Sequence, residues 1–160
     1  MKPVDDSIAV SYFDSSALVK RYFVEPGSTW VQALCADPGQ LIVLAEIGLV
    51  EITAAMTGKL RGRHISASQF RDLRADFTAD LKHEYVLISI SRSIVNDAME
   101  LTARHRLRGY DAVHLACALY LNRTLKAHSF APLTFISSDG DLLKAAQAEG
   151  LQVDDPNQHP

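Results

Sequence analysis

Short apolar runs rich in β-branched residues recur along this chain, and each gives way to a stretch with helical spacing. The runs at 8–13 (IAVSYF), 41–44 (LIVL), 85–90 (YVLISI), 133–138 (LTFISS) and 151–153 (LQV) read as strands. Helices are expected between them. One covers 15–22, opened by Asp14 or Ser15, and a second covers 28–36, capped by Ser28 after the turn Glu25-Pro26-Gly27. Others cover 45–60, 66–82 from a Ser66 cap, 91–103 from Ser91 or Ser93, 110–121, and 139–148, which Gly150 closes. Strands that alternate with helices pair in parallel and carry helices on both faces. The expected architecture is therefore α/β, a three-layer α/β/α single domain with a mainly parallel central sheet. At 160 residues the chain is one domain in size, enough to bury roughly 70% of its unfolded surface. The domain is assigned to 1–153, with 154–160 as a short, loose tail.

Composition narrows the function classes. The longest apolar run, 41–45, falls far short of the ~20 residues of a membrane span. The start, MKPVDD, places acids where a secretory leader has its apolar core, so the expected compartment is the cytoplasm. Cys35 and Cys117 lie among apolar neighbours and read as small buried hydrophobes, not a disulfide. No CxxC pair occurs and the six histidines are scattered, so no zinc pattern is present. With 16 Lys and Arg against 19 Asp and Glu, the net charge of −3 argues against general polyanion binding. Acids gathered in one pocket and offset by metal ions remain compatible with it.

The informative acids sit where an apolar residue is expected. Asp14 ends the first strand and Asp139 follows a later one; in a parallel sheet both project from the carboxyl edge, where α/β functional groups collect. Each also suits a helix cap, and capping does not exclude metal binding. Asp111 falls in the first turn of a helix that is apolar almost all round, so that helix start must reach water or face a cation. His114, three residues on, is within reach of Asp111 but reads first as a satisfied core histidine. Glu51 shares a helical face with Ile47, Gly48, Ala55 and Gly58, a side cleared of bulk, whereas Glu46 beside Thr53 and Thr57 faces solvent. Four converging carboxylates repel one another unless a cation joins them, and all-oxygen ligation suits Mg²⁺ or Mn²⁺. Such a site fits phosphoryl chemistry.

The segments SYFDSSALVKRYFVEPGS, LVEITAAM, RGYDAVHLACAL and FISSDGDLLKAAQAEGL, in that order over 11–151, resemble PIN-domain nucleases, closest to their VapC branch, the toxins of bacterial toxin–antitoxin pairs. The resemblance implies four acids, falling on Asp14, Glu51, Asp111 and Asp139, as catalytic and metal-binding residues, with Asp141 a competitor for the fourth place. It implies a hydroxyl at Ser16, and Ser137 is placed to hydrogen-bond nearby. It further implies Mg²⁺- or Mn²⁺-dependent endoribonuclease cleavage of single-stranded or loop RNA, leaving a 5′-phosphate and a 3′-hydroxyl. A homodimer mate and a small VapB-like antitoxin are the implied partners.

Basic clusters flank these segments: Lys20 and Arg21; Lys59, Arg61, Arg63 and His64; Arg104, His105, Arg106 and Arg108. Lys20, Arg61, Arg63 and Arg108 are the candidates for phosphate contact. Tyr12, Tyr22, Phe23 and Trp30 could stack bases, although core or dimer packing is the plainer reading. A dehalogenase-type phosphatase wants a second Asp where Ser16 stands, and a receiver domain wants a lysine after the 133–138 strand. A nuclease of RNA maturation and a non-catalytic RNA- or antitoxin-binding domain are the alternatives within the family.

Overall fold

The structure, a computed structural model, describes residues 8–159. The leader reading of the first six residues lies outside them. Five strands, β1 (Ala9–Phe13), β2 (Gln40–Ala45), β3 (Tyr85–Ile88), β4 (Thr134–Ile136) and β5 (Gln152–Asp154), form one sheet in the order β3-β2-β1-β4-β5. Every pairing is parallel. β1 is central: Ser11 aligns with Ile42 on one side and Thr134 on the other.

The helices are α1 (Ser15–Leu18), α2 (Ser28–Ala36), α3 (Glu46–Arg61), α4 (Ala67–His83), α5 (Arg92–Arg104), α6 (Gly109–Ala127) and α7 (Gly140–Ala148). Alternation along the strands sorts two cores. Tyr12, Val43 and Phe135 face α5, α6 and α7, where they meet Ile94, Leu101, Leu115 and Leu142. Phe13, Ile42, Leu44 and Ile136 face the opposite layer and meet Leu18, Val31, Ile52, Met56 and Phe77. This is the three-layer arrangement that the strand–helix alternation requires.

Local chemistry sets the helix ends. Ser66 and Gln69 close a reciprocal capping box at α4, and the Ser91 side chain caps α5. Three expectations need correction. Beyond Leu18 the first helix tightens into a 3₁₀ turn, Val19–Arg21. Gly27, not Ser28, caps α2, because the chain enters at φ +83°, and the Ser28 hydroxyl turns back to the Phe23 carbonyl. The tail is also not loose through His159. Asp154 belongs to β5, Pro156–Gln158 forms a 3₁₀ turn with Pro156 buried, and the His159 ring stacks on Trp30 at 4.2 Å while its Nε2 lies 2.7 Å from Asp154. Gly27 allows this, since a Cβ there would collide with the Pro156 backbone. Among the described residues no helix is long and apolar enough to cross a membrane.

Candidate functional site

Strand ends supply two of the acids. Asp14 follows β1, and its amide donates to the Ile136 carbonyl of neighbouring β4, so the two strand ends are locked side by side. The Asp14 carboxylate caps α1 by accepting from the Ala17 amide at 3.0 Å. The Ser16 hydroxyl lies 2.8 and 2.9 Å from its two oxygens, and the Ser137 hydroxyl donates to Oδ2 at 2.7 Å. Asp14 is 3% exposed, and this burial raises its pKa despite the opposing pull of His114 and the donors. Asp139 caps α7 through Oδ1, accepting from the Asp141 and Leu142 amides, while Oδ2 turns toward the pocket and Arg108. Capping and pocket lining thus coexist in both residues.

Helices supply the other two. Asp111 sits in the first turn of α6, where partial burial raises its pKa and the Arg108 guanidinium opposes the rise. Glu51 lies mid-α3, and its carboxylate meets His114 Nε2 at 2.5 Å. Gly48, one turn earlier, is buried with its Cα turned toward His114, where an added Cβ would stand 3.5 Å from the ring and 3.3 Å from Leu44. The cleared face of α3 therefore serves the approach of α6. Glu46 is exposed and accepts from Ser89.

Asp14, Glu51, Asp111 and Asp139 open onto one cavity of about 160 Å³, which Ser16, Arg108 and Tyr110 also line. Asp141 is outside it, with its side chain in solvent. Arg108 spans the mouth, 3.3 Å from Asp111 and 3.5 Å from Asp139, with its side chain 81% exposed. Four carboxylates thus face one exposed guanidinium. Among the described residues no three Asp, Glu, His or Cys side chains are gathered as a ready-made ligand cluster. Each carboxylate is held by protein donors instead.

His114 is buried and has both ring nitrogens satisfied, as expected of a core histidine, but its partners are not the one that the helical spacing suggested. It does not bond Asp111. Its Nδ1 lies 3.0 Å from the buried Tyr12 hydroxyl, so Tyr12, His114 and Glu51 form one line from core to pocket. With the hydroxyl donating to Nδ1, the ring carries its proton on Nε2 and donates to Glu51. The other candidates are dispersed. Lys20 is buried, donates to the Pro26 carbonyl at 2.8 Å and pairs with Glu25, so it is not presented to a phosphate. Arg61 and Arg63 are exposed at the far end of α3, about 15 Å along the helix from Glu51. Among the aromatics, Tyr12 stacks on Phe135, Tyr22 bonds Asp80 and Tyr85, Phe23 is buried and Trp30 holds His159. The aromatic ring at the pocket is Tyr110, 61% exposed, whose one signal was its place beside Asp111. Burial raises Cys35 to about 11 and Cys117 to about 12, so both remain thiols.

No family model matches the chain. Two curated proteins of Mycobacterium tuberculosis do: Ribonuclease VapC45 (strain CDC 1551 / Oshkosh) and Ribonuclease VapC49 (strain ATCC 25618 / H37Rv), each 32% identical over 108 residues, or 68% of this chain and 74% of theirs. The chain belongs to the VapC family. Solved structures show the same fold. FitAcB from Neisseria gonorrhoeae superposes with a TM-score of 0.61 at 15% identity, covering 91% of this chain and 97% of that one. VapBC2 from Rickettsia felis bound to a promoter DNA fragment gives 0.61 at 13%, covering 91% and 98%. PAE2754 from Pyrobaculum aerophilum gives 0.62 at 12%, covering 95% and 87%. In this VapC-family chain the four acids come from four separate segments, and the central position of β1 brings them to one end of the sheet.

Proposed function

We propose that this VapC-family chain is a divalent-metal-dependent endoribonuclease that cuts single-stranded or loop RNA as the toxin of a toxin–antitoxin pair. The observation that carries the reading is the shared cavity of Asp14, Glu51, Asp111 and Asp139, in which negative charge exceeds the single Arg108. The donor set is all hard oxygen, since both His114 nitrogens are engaged elsewhere, and it fits Mg²⁺ or Mn²⁺. Asp14 and Asp111 are the residues to hold the ion, with Asp139 and Glu51 assisting.

A bound divalent cation polarises the phosphate and lowers the pKa of water beside it. The protein's own part is orientation and proton handling. Ser16 and Ser137 keep the Asp14 oxygens in place, and His114 aims Glu51. Glu51 or Asp139 accepts the proton of the attacking water. Arg108, released from the acids, neutralises phosphate oxygens.

The partner reading rests on family membership and on surface. FitAcB, VapBC2 and a toxin–antitoxin complex from Klebsiella pneumoniae are solved neighbours whose names mark such pairs. On α3, Leu49, Val50 and Ala54 line an open groove of about 500 Å³, apolar surface on the helix that carries Glu51. A small antitoxin and a second copy of the chain are the proposed partners.

The test is direct. With Mg²⁺ or Mn²⁺ the purified protein should cut single-stranded RNA, EDTA should stop it, and Asp111→Asn should slow it at least about 100-fold. Cleavage that persists in chelator rejects the metal. Expression should arrest a host's growth and Asp111→Ala should relieve it; harmless expression of the unaltered chain rejects the toxin role.

A further inference from the structure

The carboxylate cavity is not closed. Its wall of Arg108, Asp111 and Asp139 is shared with a second cavity of about 350 Å³, whose other side is Arg106, Leu107 and Asp141. Arg106 and Asp141 in turn border a third, of about 680 Å³, which runs beside Lys144, Ala145 and Ala148 on α7. Together they form one groove between the 105–108 loop and α7. That helix extends about 13 Å at 1.5 Å per residue, so the groove takes several nucleotides and not a single phosphate. Small residues, Ala145 and Ala148, keep its floor low.

Beyond the carboxylates, the exposed side chains along its outer part are mainly cationic. Arg106 is exposed and makes no ion pair among the described residues, while Arg108 and Lys144 are 81% and 82% exposed. The one acid on the outer wall, Asp141, stands 3.9 Å from Lys144. Cations that contact phosphates outside a catalytic pocket fix the strand's register without reading bases. The competing basic patch does not meet the pocket: Arg61 lines the separate groove on α3, which shares no wall with the carboxylate cavity.

We propose that the RNA strand leaves the carboxylate pocket along this groove, with successive phosphates on Arg108, Arg106 and Lys144. This rests on the nuclease reading above and names the substrate path within it. The experiment uses the full chain carrying Asp111→Asn, so that RNA is bound and not cut, with a fluorescently labelled single-stranded RNA in Mg²⁺ over a range of salt. Arg106→Gln and Lys144→Gln should each weaken binding several-fold and lower the slope of log K against log salt by about 0.7 per lost contact. Arg63→Gln and Arg123→Gln, equal charge changes away from the groove, should leave affinity and slope unchanged. Unchanged binding in Arg106→Gln and Lys144→Gln, or equal losses in all four, overturns the groove while an unaltered chain that cuts RNA keeps the nuclease reading. An unaltered chain that cuts no RNA in Mg²⁺ or Mn²⁺ overturns both.

Discussion

Asp14 is a carboxylate held almost wholly out of solvent. Burial raises its folded pKa above the unfolded value near 3.9, so the native state holds that proton more tightly. The stabilisation from this is complete below the unfolded pKa and is lost as pH rises through the folded pKa. Without metal, the unaltered chain should therefore lose melting temperature relative to Asp14→Asn as the pH rises above about 4; parallel curves would contradict the account. A cation at 100 times its Kd should reverse the order, adding about 2.7 kcal/mol, or roughly 5–10 °C, to the unaltered chain and much less to Asp14→Asn. His114 invites a second measurement. Removing its ring leaves the fully buried Tyr12 hydroxyl without its partner and opens a cavity against Gly48. His114→Ala should cost about 2–4 kcal/mol in denaturant unfolding, and Tyr12→Phe, which keeps the stack on Phe135, about 1 kcal/mol. Neither contact was legible beforehand, because helical spacing relates His114 to Asp111, while its real partners lie 63 and 102 residues away. Lys20 misled in the same way: lysines average to the surface, and only the Pro26 carbonyl and Glu25 explain a buried one.

Elements were more readable than contacts. The positions of the strands follow from β-branched runs, although β3 stops at Ile88 and β4 at Ile136, short of the expected 90 and 138, and Asp14 and Asp139 stood out as acids just after such runs. Ser66 and Ser91 announce their helices because a hydroxyl satisfying an amide is a local matter. Glu51 was separable from Glu46 because Gly48 shares its face, and that cleared face packs against His114. The segment after β5 was unreadable for the opposite reason, since its order depends on a left-handed Gly27 and on Trp30, more than a hundred residues earlier. Gly27→Ala must accept φ +83° and displace Pro156. It should cost about 1–3 kcal/mol from the backbone strain alone. Limited proteolysis should then cut the 154–159 segment faster than in the unaltered chain; equal rates would show the tether to be dispensable.

At the scale of the molecule, the sheet order decides when the site exists. β1 is made first, yet one of its two sheet neighbours is β4, and Ser137 bonds Asp14 across 123 residues. A chain stopped before Leu133 lacks β4, α7 and β5, and with them Asp139. Such a chain should show no cooperative thermal transition by circular dichroism and no cleavage of RNA. A sharp melt like that of the full chain would mean that β1–β3 suffice. The three-layer plan was legible from the alternation of strands and helices, but the convergence of four acids on one cavity required β1 to lie between β2 and β4, which no periodicity encodes. This has a consequence for synthesis. On the proposed nuclease reading, the site stays incomplete until β4 and Asp139 have left the ribosome and β4 has paired with β1. The long-range pairing of β1 with β4 therefore makes the site one of the last features of the molecule to form.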